Sequence, residues 1–294
     1  MVIILIEYEG NLYRPPSEAH SLIVQATIGC SHNKCTFCSM YKKDKFKIRE
    51  TKDIVKDLEI GRKYYPKVKR IFLADGDALI IKTEELKKIL MTIKELYPEC
   101  KRVGIYGSPK SILGKNVEEL QELNNLGLGI IYLGVETGSD TILKEIKKGV
   151  TSEEIIDAGK KVKETNIELS VTLISGIGGA KYTKEHAIES AKVINEINPN
   201  YIGLLTLLIE KETELYNKIE EERFALLTPK EVLLETEEFI KKLELDNCIF
   251  RSNHASNYVS LKGTLGRDKK LILNQIKEGL KLEDLEGKEV YRRL

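Results

Sequence analysis

Three cysteines, Cys30, Cys35 and Cys38, lie on one short stretch that follows an apolar, strand-like run over 22–27. Three thiolates on one loop can hold three irons of a [4Fe–4S] cube and leave the fourth iron without a protein ligand. A purely structural metal site normally closes its coordination shell, so an open iron is a place where a substrate or cofactor can bind. The triplet therefore predicts a reactive metal centre.

A zinc site is the alternative interpretation of this triplet, with His32 as the fourth ligand. His32 lies between the ligands on a tight loop, and the sequence has no second Cys-x2-Cys or His pair of the kind that completes zinc sites. Cys100 and Cys248 are isolated, and single cysteines are most often core residues or unreactive thiols. The spacing therefore favours iron and sulfide over zinc.

Composition and charge narrow the function classes. The 294 residues are 41% hydrophobic, enough for one large domain or two small ones, and 47 basic against 46 acidic residues leave a formal charge of +1. No global field attracts nucleic acid, and we interpret the basic stretch 42–47 as a solvated loop. No apolar run has the length of a membrane span, and the N-terminus does not resemble a signal peptide. We therefore expect a cytoplasmic protein without a membrane partner, and nucleic acid is not indicated.

The strands and helices that must position the three cysteines can be predicted from the spacing of apolar residues. Apolar strand-like runs alternate with amphipathic helical stretches, which predicts repeated βαβ units and a parallel sheet. The expected fold class is α/β, a partial (β/α)6 TIM-like barrel with an open parallel sheet and helices outside. We expect a single domain over 1–294, with a lead-in over 1–20, a barrel core over 21–210, and C-terminal helices with a substrate-side loop over 211–294. Strands are predicted at 22–27, 70–74, 102–106, 129–135, 168–174, 201–206 and, more weakly, 247–251, and helices at 52–65, 83–96, 116–124, 140–147, 152–164, 184–196, 229–243 and about 267–280.

Polar and glycine-rich segments follow the predicted strands one after another. In barrel-like α/β folds, ligands bind at the carboxyl ends of the strands, and glycines there let backbone amides approach a ligand. The segments after the second to fifth strands carry the candidate residues Gly76 and Asp77, Ser108, Glu136, and Ser175 with Gly176. For the carboxylates, the alternative is a solvated strand end or a helix cap.

The chain resembles a radical S-adenosylmethionine (SAM) enzyme over nearly all of its length. The branch that it resembles comprises oxygen-independent coproporphyrinogen oxidases, methylthiotransferases and elongator-type enzymes. The motifs that carry the resemblance are Phe37 before the last cysteine, Asp75-Gly76-Asp77 in place of Gly-Gly-Glu, the segment 133–149, and the segment 171–179.

The resemblance implies roles for these residues. It implies a [4Fe–4S] cluster on the three cysteines and SAM on the open iron, with a one-electron donor such as ferredoxin or flavodoxin. Gly76 and Asp77 would receive the SAM amino group, and Glu136 would contact its ribose. Lys148 would pair with the SAM carboxylate, although it could instead complement a helix dipole. Ser175 and Gly176 would line the adenine, and Ser108 and Phe37 would lie at the cofactor.

The chain also departs from the family pattern. Its cysteine spacing is Cys-x4-Cys-x2-Cys rather than the common Cys-x3-Cys-x2-Cys, and Asp75 stands where glycine is usual. The remaining cysteines cannot form a second three-cysteine cluster, which argues against a methylthiotransferase. The spacing places the chain in a less common subgroup.

The segment 251–264 is dense in hydrogen-bonding side chains. Loop residues of this kind often recognise a substrate, so we single out Asn253, Asn257 and Tyr258 as substrate contacts and His254 as a proton donor or acceptor. The alternative is a structured loop whose side chains cap turns. The substrate, a small molecule or a macromolecule, is not named by the sequence. A partner-dependent activase or protein modifier on the same fold, or a non-enzymatic metal- or SAM-binding module, remain alternatives.

Overall fold

The protein is described by a computed structural model over residues 6–292. The predicted α/β class is confirmed, because the described residues form an eight-stranded, mostly parallel sheet and a separate two-stranded sheet, with α-helices between the strands. The strands are β1 (Leu22–Gln25), β2 (Thr27–Ile28), β3 (Lys47–Ile48), β4 (Arg70–Ala74), β5 (Arg102–Tyr106), β6 (Leu128–Glu136), β7 (Glu168–Ser175), β8 (Tyr201–Thr206), β9 (Ile249–Ser252) and β10 (Leu261–Thr264). The helices are α1 (Thr51–Tyr64), α2 (Thr83–Leu96), α3 (Pro109–Leu113), α4 (Val117–Asn125), α5 (Asp140–Glu145), α6 (Ser152–Lys163), α7 (Gly179–Ile197), α8 (Glu214–Glu220), α9 (Pro229–Lys242) and α10 (Lys269–Leu280).

Every predicted strand and helix is present, with ends shifted by a few residues. Within the described residues, periodicity did not predict the strands β3 and β10 or the helices α3 and α8. Each is too short to show a helical or alternating pattern. The prediction of one domain over 1–294 stays a prediction, since the chain divides into two compact units that are each packed mainly within themselves.

The first unit comprises residues up to 33, 40–133 and 161–169. In it, β1, β4, β5 and the start of β6 lie side by side in parallel, with Leu73 paired to Val24 on one side and to Ile105 on the other. Ile71, Phe72, Leu73 and Ala74 are completely buried, as expected of parallel strands covered on both faces. This packing fixes the backbone that leads into the Asp75–Asp77 turn.

The second unit comprises residues 34–39, 134–160 and 170 onwards. Here β7, β8 and β9 run in parallel, and β10 pairs with β9 in an antiparallel hairpin. Burial alternates strictly along β7 and β8, so one face is packed and the other is half-open. Helix α9 begins at a capping box formed by Thr228 and Glu231, which satisfies two of its N-terminal amides.

Helix α10 covers the outer edge of the β9–β10 hairpin. The side-chain oxygen of Gln275 accepts from the Lys262 amide at 3.0 Å, and its amide nitrogen donates to the Lys262 carbonyl at 3.2 Å. Ile272 packs where a side chain on Gly263 would otherwise lie. Among residues 6–292, no helix is both long and apolar enough to cross a membrane.

Candidate functional site

In the first unit, the turn after β4 packs against the first cysteine. A Cβ on Gly76 would lie 3.0 Å from the Cβ and 3.1 Å from the Cα of Cys30, and 2.9 Å from the Tyr41 ring. These separations are too short for any side chain, so glycine is required for the backbone to approach Cys30 this closely. The predicted candidates Gly76 and Cys30 are thus neighbours.

Asp77 is the hub of a buried hydrogen-bond network beside this turn. Its carboxylate is 1% exposed and accepts from the Ser31 hydroxyl at 2.6 Å and the Ser111 hydroxyl at 2.7 Å. It also accepts from the Ser108 amide and hydroxyl, both at 2.9 Å. Both carboxylate oxygens are used, so Asp77 fixes the residue after Cys30 relative to the N-terminus of α3. The sequence indicates Asp77 and Ser108 as candidate site residues, but it does not predict that they bind each other.

Asp75, which stands where the family usually has glycine, is completely buried. Its Oδ2 accepts from Gln25 at 2.7 Å, and the Tyr41 hydroxyl lies 3.4 Å from its Oδ1. Burial raises the pKa of Asp75 to about 6, and these hydrogen bonds only partly oppose the shift. Asp75 therefore changes charge near neutral pH.

The part of the cysteine loop in the second unit is anchored by its backbone. The Thr36 amide donates to the Ile146 carbonyl, and the Thr36 carbonyl accepts from the Leu215 amide, each at 2.9 Å. Phe37 packs against an apolar cluster that includes Ile142 and Leu207. Phe37 thus holds the segment between Cys35 and Cys38 against the core of this unit.

The Thr36 hydroxyl is an exception in this well-bonded loop. Thr36 is 1% exposed, and within residues 6–292 its Oγ1 has no hydrogen-bond partner. Such groups are rare in folded proteins, and one that persists requires an explanation, such as a catalytic or redox role or a bound ion. Thr36 lies between two of the three predicted cluster ligands in the sequence. A sulfide of the cluster would be an acceptor for its hydroxyl.

Glu136 and Lys148 form an ion pair in the second unit. Lys148 Nζ lies 2.8 Å from Glu136 Oε1, and the side chains are 14% and 12% exposed. Glu136 has a φ of 64°, an unusual conformation for a residue other than glycine. Its carboxylate folds over Gly134, where a side chain would collide with it. The two residues that the resemblance assigns to the SAM ribose and carboxylate are therefore brought together.

The turn after β7 is held by a carboxylate that sequence reasoning missed. Glu235 of α9 is 5% exposed and accepts from the Ser175 hydroxyl at 2.6 Å, the Gly176 amide at 2.7 Å and the Thr183 hydroxyl at 2.7 Å. In sequence it is one acidic residue among several on α9, so no local signal distinguishes it.

His186 lies beside this network and lines a small cavity of about 10 Å³ together with Ser175 and Glu235. Burial lowers the pKa of His186 despite Glu235 Oε1 at 3.9 Å from its Nε2. Its Nδ1 lies 2.9 Å from the Thr137 hydroxyl. A neutral His186 therefore completes the packing under the turn.

The predicted substrate residues of the late loop have structural partners. Asn257 bonds to the Leu204 carbonyl at 3.0 Å and the Thr206 hydroxyl at 2.9 Å. Tyr258 is 7% exposed and bonds to Glu289 and Arg292. His254 Nδ1 lies 2.9 Å from the Ser256 hydroxyl, and burial lowers the pKa of the ring. Asn253 is exposed, and the roles of all four residues stay predictions.

The donor set fits a cluster better than a single ion. Within residues 6–292, no three His, Cys, Asp or Glu side chains are placed to hold one metal ion. A cube gives each thiolate its own iron, and the Gly76 backbone packs against the Cα and Cβ of Cys30.

Comparison with known proteins decides the family. The sequence pattern of the Radical SAM superfamily matches residues 24–194, more than half of the chain and all three cysteines. The chain belongs to the radical SAM superfamily. At the level of the family, this confirms the predicted function class and its cofactors, a [4Fe–4S] cluster and SAM.

Individual relatives are more distant. The chain is 23% identical over 195 residues to the heme chaperone HemW of Buchnera aphidicola, covering 63% of this chain and 50% of that protein. It is 25% identical over 169 residues to a putative methylthiotransferase of Methanocaldococcus jannaschii, covering 52% and 35%. The chain thus spans about half or less of the length of these curated relatives.

Solved structures show the same fold. Coproporphyrinogen III oxidase (HemN) of Escherichia coli, a radical SAM enzyme, matches with a TM-score of 0.56 and 16% identity, covering 76% of this chain and 52% of the other. With the relatives above, it confirms the predicted branch and the fold class of a radical SAM domain.

Proposed function

We propose that this chain is a radical SAM enzyme that holds a [4Fe–4S] cluster on Cys30, Cys35 and Cys38 and cleaves SAM reductively. The observation that carries the proposal is the family match over 24–194, which contains the triplet and every segment with a predicted SAM contact. When bound, the reduced cluster supplies one electron to the SAM sulfonium, so that a C–S bond breaks to give methionine and a 5′-deoxyadenosyl radical. In the loaded protein, this chemistry would be directed at a hydrogen atom of the substrate.

The turn after β4 is proposed to receive the SAM amino group. Because the Asp77 carboxylate already accepts four hydrogen bonds, it acts as a positioning group and leaves ligand contact to the backbone carbonyls around Gly76. Glycine makes this possible, since it brings the turn against Cys30.

Glu136 and Lys148 are proposed to exchange their mutual ion pair for contacts to SAM. A carboxylate is a suitable acceptor for a ribose diol, and an ammonium group pairs with a carboxylate. Holding the two side chains together at 2.8 Å keeps both nearly buried charges paired before the ligand arrives. Lys148 therefore does not need to be brought from solvent.

The turn at Ser175 and Gly176 is proposed to line the adenine. Glu235 accepts hydrogen bonds from its amide and hydroxyl, so the buried turn is held in one conformation. A rigid turn of this kind reduces the entropy lost on binding a flat ring. His254 remains the candidate for proton transfer, and a ferredoxin or flavodoxin the candidate electron donor.

The experiment is anaerobic reconstitution with iron and sulfide, followed by SAM and dithionite, with 5′-deoxyadenosine quantified by chromatography. We expect product from the wild-type chain and none from the Cys30→Ala, Cys35→Ala, Cys38→Ala triple variant. Electron paramagnetic resonance of the reduced cluster is recorded with and without SAM. A fully loaded cluster whose signal does not respond to SAM, and which yields no 5′-deoxyadenosine, would rule the proposal out.

A second candidate is a binding function without turnover, supported by the similarity to heme chaperones. The same preparation is titrated with hemin and followed in the Soret region. Saturable heme binding in protein that loads a cluster but does not cleave SAM would favour this candidate over the enzyme. The absence of saturation would remove it.

A further inference from the structure

The half-open face of the second unit carries a row of side chains that runs across four strands. Thr172 of β7 is in register with Gly203 of β8, and Gly203 with Arg251 of β9. Arg251 is in turn directly opposite Lys262 of β10. Residues in register project from the same face of a sheet, so a hydroxyl, a gap and two cations stand side by side.

The helices pack on the other face of these strands. Phe250 and Gly263, which flank the two cations along the chain, are in register with each other, and Ile272 of α10 fills the space at Gly263. Ile202 and Leu204, which flank Gly203, are buried. Arg251 and Lys262 are both exposed. Strand alternation therefore places the cations on the face that the helices leave open.

Neither cation is neutralised by the chain itself. Within residues 6–292, no carboxylate lies within salt-bridge distance of Arg251 or Lys262. The Arg251 guanidinium donates from Nη1 to the Phe250 carbonyl at 2.7 Å and to the Gly263 carbonyl at 3.3 Å. Like charges directly opposite each other on antiparallel strands are destabilising. Since the chain has 46 acidic residues, two adjacent cations without a carboxylate are an unusual arrangement.

The position beside the cations is empty of side chains. A Cβ on Gly203 would be 3.8 Å from the Val171 carbonyl oxygen and 3.9 Å from Thr172 Oγ1, which are ordinary contact distances. Glycine is thus not required there by crowding, and its lack of a side chain leaves room in the row beside Arg251. An arginine with a lysine in register on one side, and a threonine across the glycine position on the other, supplies donors that suit an oxyanion.

We propose that this row, Thr172, Gly203, Arg251 and Lys262, binds the carboxylate or phosphate group of a small anionic substrate. That the bound anion is a substrate rests on the proposed function, whereas the anion site itself does not. A small molecule is favoured over a nucleic acid because the chain has a formal charge of only +1 and the two cations form a local site rather than a basic surface.

The test is calorimetric titration of the full chain at low ionic strength, with inorganic phosphate in one arm and succinate in the other. We expect saturable binding of at least one anion, with the stronger arm showing which group the site takes. Arg251→Gln and Lys262→Gln should each weaken it about tenfold or more. Arg267→Gln is the matched control, because Arg267 is an exposed arginine of the same unit paired with Asp268, and it should change binding less than about twofold.

Thermal melting separates a binding role from a structural one. If the two charges repel each other in the empty protein, Lys262→Gln should melt at the same temperature as the wild type or higher. The anion should raise the melting temperature of the wild type and not that of Arg251→Gln. Absence of anion binding, equal loss in Arg267→Gln, or displacement of the anion by SAM would overturn the inference. Any of these results would leave SAM cleavage untouched as a separate measurement.

Discussion

The turns after β4 and β7 are both fixed by a buried carboxylate, but the carboxylate comes from different places. Asp77 belongs to its own turn and binds hydroxyls of neighbouring loops, whereas Glu235 reaches the Ser175–Gly176 turn from α9, about 60 residues further along the chain. Both use hydroxyl and amide donors rather than a cation. Two unrelated turns are thus fixed in the same way, by a buried carboxylate. Only for the turn after β4 does this carboxylate belong to the turn itself, so only there can the local sequence indicate it.

Removal of Asp77 is expected to have the largest effect. Asp77→Ala leaves the Ser31, Ser108 and Ser111 donors without their acceptor, and we expect the free energy of unfolding to fall by about 3 kcal/mol or more. Since Ser31 follows Cys30, iron content after reconstitution should fall too. Urea denaturation and iron analysis measure both effects. Asp157→Ala, on the exposed face of α6, is the control, and an equal loss in the two variants would contradict the role of Asp77.

Glu235 should separate cofactor binding from cluster loading. Glu235→Gln keeps the side-chain shape but loses one acceptor of the network, and we expect SAM to bind about tenfold more weakly because the turn is less well fixed. Iron content should stay at the wild-type level, in contrast with Asp77→Ala. Equilibrium dialysis of the reconstituted protein with labelled SAM gives the dissociation constant. Unaltered SAM affinity in a folded variant would show that Glu235 serves stability alone.

Asp75 is a buried carboxylate with fewer hydrogen-bond donors than Asp77 or Glu235, and we expect it to make stability depend on pH. Its pKa is raised from 3.8 to about 6 in the folded protein, so folding favours the protonated acid. The resulting stability is fully present below the unfolded pKa and is lost as pH rises through about 6. Asp75→Asn mimics the neutral acid. The melting temperature of the variant minus that of the wild type should therefore increase as the pH rises from 4 to 7.

Melting curves at a series of pH values measure the Asp75 effect. Asp157→Asn, at an exposed site, should show a constant difference from the wild type. A constant difference for Asp75→Asn as well would mean that the Gln25 and Tyr41 hydrogen bonds fully stabilise the carboxylate.

Substitution of Thr36 should change stability least, and the direction of the change should show whether its hydroxyl contacts the cluster. In the protein without a cluster, Thr36→Val removes a buried hydroxyl that lacks a partner, and we expect a gain of about 1 kcal/mol in stability. If the hydroxyl donates to the cluster, this gain should vanish in the reconstituted protein, and the reduction potential of the cluster should fall. Melting of both forms and a redox titration followed by paramagnetic resonance measure this. A gain that persists after reconstitution would show that the hydroxyl does not meet the cluster.

The sequence predicted the elements because their burial pattern is local. Strand β7 alternates along its whole length and β4 is a continuous apolar run, so each is recognisable without its neighbours. The glycines and carboxylates at the strand ends were found for the same reason. Their partners were not, because Glu235 and Ser111 meet their turns only through the packing of separate segments. The row from Thr172 to Lys262 was equally invisible, since strand register is set by the tertiary structure.

The contact between Gln275 and Lys262 has a consequence for solubility. Strand β10 ends the sheet order, and an unpaired strand edge is a template on which another chain can add a strand. One glutamine occupies an amide and a carbonyl of that edge from α10, so a foreign strand would first have to displace a helix. Aggregation through this edge is thereby opposed by the same helix that packs the hairpin, and loss of the Gln275 amide would expose it without unfolding the sheet.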